Sequence, residues 1–202
     1  HIENTHDCSE IIIENGTRQD PQLIFKFTDR FRYSRSKVIF LARDPRDIIT
    51  SNFHQVTNRA RHPFKFRSRS EFVNHKIYGF KRIIHFFNLW FNNQNKPKNF
   101  LLIKYENLLN GTDDLKKIIN FLSIDVHDEL LERVYRESTA DKMREKELKN
   151  QIEGFSDFGK ETNKLKVRKA RKGSYRSELS SEDISFCNKE MKKLNPYFGY
   201  TL

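Results

Sequence analysis

Arg43 and Ser51 form the pair whose types and spacing most clearly serve chemistry. Arg43 closes the apolar run Val38, Ile39, Phe40, Leu41 and Ala42. That run reads as a buried strand over residues 37–42. A helix-start signal follows at once. Asp44 can cap, Pro45 suits the first helical position, and Asp47 puts a negative charge in the first turn. A guanidinium at the carboxyl edge of a strand, beside a helix amino terminus, is placed to hold an anion. Ser51, two turns further on, adds a hydroxyl. By itself the segment favours an anion site only slightly over a surface arginine on an ordinary strand–loop–helix unit.

The elements that must position these groups alternate along the chain. A helix is expected over about 45–55, then a basic loop over 56–69 carrying Arg59, Arg61, His62, Lys65, Arg67 and Arg69. Phe72, Ile77, Phe80, Ile84, Phe87 and Phe91 predict one long helix over about 70–95, capped by Ser70 and broken by Lys96-Pro97-Lys98-Asn99. Residues 100–105 read as a second short strand. Helices are expected near 113–122, 126–137 and 141–150, and a last one from Ser180 or Ser181 to about Leu194, stopped by Asn195-Pro196. Residues 7–36 read as polar loop with a short amphipathic piece around 23–31, and 151–176 as a basic loop without periodicity. Strands alternating with helices predict a parallel sheet covered by helices, with ligands beyond the carboxyl ends of the strands. Arg43 and Tyr105 both fall at such ends.

The 202 residues fit one domain with a real core, and eighteen phenylalanines supply much of its apolar bulk. The net charge of +11 attracts polyanions of several kinds: nucleic acid, anionic glycans, acidic membranes or phosphorylated cofactors. Cys8 and Cys187 make no disulfide framework and have no zinc-ligand spacing, so no metal site is expected. With no run of membrane-spanning length and no signal peptide at its start, the chain is expected to be cytoplasmic.

The segment Ala42-Arg43-Asp44-Pro45-Arg46-Asp47-Ile48-Ile49-Thr50-Ser51 resembles the 3′-phosphate motif of the sulfotransferases, with Arg43 and Ser51 on its two ligand positions. Residues 100–108, with Tyr105-Glu106 at the strand end, resemble the second core strand of that family. The tyrosine there contacts adenine. Ser138-Thr139-Ala140-Asp141-Lys142-Met143 is similar to a Thr-Ser-Phe-x-x-Met stretch around the adenine; Ser138 and Met143 match, and Ala140 replaces the Phe. Residues 167–175 resemble the Arg-Lys-Gly-x-x-Gly-Asp-Trp loop. Aligning Gly173 with the second glycine and Tyr175 with the tryptophan makes Arg168 and Lys169 phosphate ligands and puts Ala170 in place of the first glycine. A second alignment sets Arg171, Lys172 and Gly173 on the first triplet. Asn4-Thr5-His6 resembles the Lys-Thr-His strand end, whose histidine is the general base; His6 matches, and Asn4 departs from the lysine.

The resemblance implies a three-layer α/β fold of the P-loop nucleoside triphosphate hydrolase-like sulfotransferase type, with a parallel central sheet and helices on both faces. It implies a single domain over 1–202 without the family's N-terminal strand and phosphosulfate loop, since no G-x-x-x-x-G-K-[ST] pattern occurs. The expectation is that the natural start lies upstream. The implied reaction is sulfonate transfer from 3′-phosphoadenosine 5′-phosphosulfate to a hydroxyl or amine, releasing 3′-phosphoadenosine 5′-phosphate, with no metal. A non-catalytic nucleotide-binding relative is a second reading. A basic nucleic-acid-binding module is a third, although no helix-turn-helix, zinc-finger or RNA-motif signature accompanies the charge. The loops at 56–69 and 151–166 would shape the acceptor pocket.

Overall fold

A computed structural model describes residues 33–59, 65–149, 151, 165, 167 and 171–201, together with two short paired strands near the start. Those two, β1 (Ile13–Glu14) and β2 (Thr17–Arg18), pair antiparallel within a stretch expected to be loop.

The element that organises the site is a parallel pair. Strand β3 (Lys37–Ala42) lies beside β4 (Asn99–Lys104), with Lys37 opposite Asn99 and Ala42 opposite Lys104. Both apolar runs were legible as strands of a parallel sheet, which takes apolar residues on both faces; the burial expected of β3 holds for Phe40 and Ala42, whereas Leu41, on the other face, is 56% exposed. The six-residue register has no offset, so the next residues, Arg43 and Tyr105, leave the sheet side by side.

Helix α1 (Pro45–His54) begins as its residues require. Asp44 caps it by accepting a hydrogen bond from the Arg46 N–H at 2.9 Å, with Pro45 at the first position. The expected long helix is two helices, α2 (Arg69–Asn74) and α3 (Phe80–Asn93). The cap of α2 is Ser68, which accepts from the Glu71 N–H at 3.1 Å; the Ser70 hydroxyl instead donates to Asp183 Oδ2 at 2.6 Å. The chain breaks at His75, whose Nδ1 accepts from the N–H groups of Ile77 and Tyr78 at 3.3 and 3.2 Å. Gly79 allows the tight return. A Cβ there would lie 2.2 Å from the His75 carbonyl oxygen and 2.6 Å from that of Val73.

Helix α3 covers one face of the sheet. Its buried Phe80, Ile83, Ile84, Phe87 and Trp90 recur at helical spacing and meet Phe40 of β3. The Phe40 ring lies 5.3 Å from Phe87 and 5.6 Å from both Phe86 and Phe198, edge-on or tilted against Phe87 and Phe198 and stacked on Phe86. After the single turn α4 (Tyr105–Leu108), helix α5 (Asp113–Leu122) covers the opposite face of β4. Lys37, on that face, donates to the Phe121 carbonyl at 2.7 Å and to Ser123 Oγ at 3.1 Å. The result is the expected three-layer α/β arrangement with a parallel sheet.

The remaining helices are α6 (Asp128–Glu137), α7 (Ala140–Leu148), the single turn α8 (Tyr175–Glu178) and α9 (Ser181–Met191), the last capped by Ser180. A 3-10 turn over Pro196–Phe198 follows and drives the fully buried Phe198 into the core. Among the described residues no helix is long and apolar enough to cross a membrane.

Candidate functional site

The site lies at the carboxyl ends of β3 and β4. Because the strands end level, the Arg43 guanidinium sits 4.8 Å from the centre of the Tyr105 ring. Arg43 Nη2 donates to the Arg171 carbonyl oxygen at 3.4 Å, a long bond. Its Nε is buried and has no hydrogen-bond partner among the described residues. A buried guanidinium donor without an acceptor is costly to leave unmade. An anionic oxygen would satisfy it. The donor set therefore fits a phosphate beside an aromatic group.

The neighbouring charges have different jobs. Arg46 is almost fully buried. It donates from Nε and Nη2 to the two Asp44 oxygens at 3.0 and 2.8 Å, from Nη1 to Asn188 Oδ1 at 2.9 Å, and from Nη2 to the Thr201 carbonyl at 2.9 Å. It also lies 4.7 Å from the centre of the buried Tyr175 ring. The hydrogen bonds it donates to Asp44 hold its guanidinium pKa above the ordinary value, against the opposing effect of burial. Every nitrogen of Arg46 is used, so it is structural, whereas the Nε of Arg43 meets no acceptor among the described residues.

Glu106 ties the two strand ends together. Its Oε1 accepts from the Asp44 N–H at 2.9 Å and its Oε2 accepts from the Tyr200 hydroxyl at 2.9 Å. Burial and the Glu106 charge push the Tyr200 hydroxyl well above the usual phenol range, so it remains a donor.

Asp47 reaches across 126 positions of sequence. It accepts from the Gly173 N–H at 2.7 Å, the Ser174 hydroxyl at 3.1 Å and the Tyr175 N–H at 3.0 Å. The basic loop is thus pinned to the first turn of α1. Ser51 is exposed, and as the residue four after Asp47 it shares the helix face that the loop approaches. Gly173 spends its N–H on Asp47, which takes from the second loop alignment the backbone donor that its glycine would supply.

A second attachment holds the same loop further upstream. Arg144 Nε donates to the Val167 carbonyl at 3.2 Å, and the Val167 N–H donates to Glu147 Oε2 at 3.1 Å. Both side chains come from α7, the helix that carries the half-buried Met143. Ser138, exposed at the end of α6, donates its hydroxyl to the Tyr135 carbonyl at 3.1 Å.

Of the residues read from sequence, Arg43 and Tyr105 are in contact, with Ser51 on the adjoining helix face. Among the described residues no hydrogen bond or ring contact joins Ser138 or Met143 to Arg43 or Tyr105. His6, Arg168, Lys169 and Ala170 lie outside the described residues. Sequence reasoning missed Arg46, Asp47 and Glu106 as the groups that hold the site. Asp47 carried only the local signal of an acid in a first turn.

A parallel pair ending in arginine against tyrosine, with a basic loop latched to the next helix, defines an α/β protein with a candidate anion site at the carboxyl ends of its strands. The family model described as Sulfotransferase domain matches residues 16–195, and the chain belongs to the sulfotransferase family. It is 29% identical over 165 residues to Sulfotransferase 2A1 of Macaca fascicularis, covering 76% of this chain and 54% of the relative. To 3-beta-hydroxysteroid sulfotransferase of Cavia porcellus it is 24% identical over 147 residues, covering 66% and 50%. The chain thus spans about half the length of these curated relatives. Among solved structures it is similar to mouse sulfotransferase SULT7A1 complexed with PAP, at a TM-score of 0.61 and 23% identity, covering 78% of this chain and 58% of that one. Retinol dehydratase in complex with androsterone and inactive cofactor PAP follows at 0.60 and 22%, covering 77% and 46%. These two likenesses are to the fold.

Proposed function

We propose that this chain binds 3′-phosphoadenosine 5′-phosphosulfate and takes part in transfer of its sulfonate to a hydroxyl or amine acceptor, leaving 3′-phosphoadenosine 5′-phosphate. The observation that carries this reading is Arg43: seated against Tyr105, beside the basic loop, with a buried Nε that meets no acceptor among the described residues. Arg43, Ser51, Arg168, Lys169 and the backbone at Ala170 hold the 3′-phosphate. Tyr105, Ser138 and Met143 hold the adenine. His6 removes the proton of the acceptor. The nucleotide, when bound, supplies the activated sulfonate and a stable leaving group. The protein's share is positioning and charge complementarity. The PAP named in two structural neighbours supports the choice of nucleotide.

Calorimetric titration with 3′-phosphoadenosine 5′-phosphate and with AMP tests this. Wild type is expected to prefer the bisphosphate strongly. Arg43→Ala is expected to lose about 1.5–3 kcal/mol of bisphosphate binding, roughly 10- to 150-fold in Kd, the value of a charged hydrogen-bond set. His6→Ala is expected to keep that affinity and lose transfer. Equal binding of the two nucleotides, or full affinity in Arg43→Ala, refutes the reading. A steeply salt-dependent response to any oligonucleotide would favour nucleic-acid binding instead.

A further inference from the structure

We propose that Asp47 is the positioning residue for nucleotide binding: its carboxylate latches the 173–175 turn to helix α1 before any nucleotide arrives, and selectivity for the 3′-phosphate depends on that latch. The proposal rests on the function proposed above. Three observations carry it.

The Asp47 side chain is fully buried. A carboxylate withdrawn from water is costly unless donors replace its hydration. Among the described residues, the replacement that reaches it from other elements comes from one turn: two backbone N–H groups and one hydroxyl, at 2.7, 3.0 and 3.1 Å. Opening the turn would strand a buried charge, so the closed form is strongly favoured.

The turn has the shape to deliver those donors. Gly173 takes a φ of 76°, in the left-handed region that side chains avoid. Alternating backbone handedness is what turns successive N–H groups into a concave cradle for an anion. Here the cradle is filled by Asp47 from within the protein. It is therefore a fastening for the loop and not the phosphate site itself.

The latch also fixes what lies just upstream. Arg171 stands two residues before Gly173, and its carbonyl meets Arg43 Nη2. Holding 173–175 thus sets how closely the basic loop approaches Arg43 and the Ser51 face of α1. An open loop removes binding-competent molecules, and affinity falls by the fraction lost. AMP lacks the 3′-phosphate and should not sense this.

The test is Asp47→Asn. The volume is kept, and Oδ1 can still accept from Ser174 and Tyr175, but an amide N–H₂ now faces the Gly173 N–H, donor against donor. Affinity for 3′-phosphoadenosine 5′-phosphate is expected to fall at least tenfold, with AMP affinity changed less than twofold. Amide exchange at Gly173 and Tyr175 is expected to quicken. A wild type that does not distinguish the two nucleotides overturns the proposed function and this inference with it. A wild type that does, beside an Asp47→Asn protein within twofold of it, overturns the latch alone. Should the variant fail to fold, exchange in the unmutated, nucleotide-free chain still decides. Protection at both amides supports the latch, and fast exchange at both refutes it.

Discussion

Replacing Arg46 with methionine tests whether the strand–helix corner is held by one multiply bonded guanidinium. The substitution keeps an unbranched stem of similar volume and removes four hydrogen bonds: two to Asp44, one to Asn188 Oδ1 and one to the Thr201 carbonyl. It also removes the cation stacked 4.7 Å from the Tyr175 ring. The Arg46–Asp44 pair is well buried on both sides, with side-chain exposures of 6% and 16%. Breaking such a pair by deleting one partner costs about 3–5 kcal/mol, because the other charge stays behind. The stacked ring adds roughly 1–2 kcal/mol. The losses overlap, so about 4–5 kcal/mol is expected, a large share of the ~5–15 kcal/mol typical of a domain. Arg46→Lys should fall about half as far, since an ammonium cannot serve Asp44, Asn188 and Thr201 from one plane. The assay is equilibrium urea unfolding followed by Trp90, the single tryptophan, buried in the core at 3% exposure. A cycle with Asp44→Asn isolates the pair. If Arg46→Met lies within ~1 kcal/mol of wild type, or the cycle gives no coupling, the corner is held by something else.

Two further outcomes follow from burial. Gly79→Ala drives a methyl into the carbonyl oxygens of His75 and Val73. The expected cost is about 2–3 kcal/mol, a Tm fall of roughly 4–12 °C for a chain of this size; an unchanged melting curve would show that the α2–α3 break relaxes freely. Cys187 is fully buried, and burial, then the nearby Asp183 charge, pushes its thiol up to about 12. The unfolded thiol titrates near ~8.5, so between about pH 8.5 and 12 the unfolded chain releases this proton first and stability falls as pH rises. Below that window the thiol contributes no slope. Cys187→Ala should therefore lose stability less steeply on the alkaline side, by up to ~1.4 kcal/mol per pH unit. Parallel alkaline profiles for the two proteins would contradict the assignment.

Local signals carried the fold further than the site. The runs that became β3 and β4 are apolar on both faces, the pattern of a parallel strand even though Leu41 is left exposed, and Asp44-Pro45 specifies a helix start from within two residues. Helix α5 was readable to its ends because its apolar stripe and flanking turn residues agree. The break between α2 and α3 was not. Phe72 and Ile77 stand five apart, which is off the helical repeat, but the regular spacing from Phe80 onward masked that step. The sharper signal was Gly79, whose reason is a close approach of backbone that spacing does not encode.

The site shows why residue type alone cannot rank its own members. Arg43 and Arg46 are the same residue, three positions apart, in one motif. Arg46 faces Asp44, Asn188, Thr201 and Tyr175, which are either adjacent in sequence or more than 120 positions away. Those partners engage all three of its side-chain nitrogens. Arg43 faces a ring and one carbonyl, and keeps Nε in reserve. The same holds for the acids: Asp44 caps, Asp47 fastens a loop, and Glu106 joins two strand ends. What separates a binding group from a bracing group here is how many of its hydrogen bonds the fold itself fills. That number is fixed by the return of residues 171–201 to the sheet edge. The candidate anion site is thus a product of long-range closure, and the buried Arg43 Nε, which meets no acceptor among the described residues, is where a ligand would complete it.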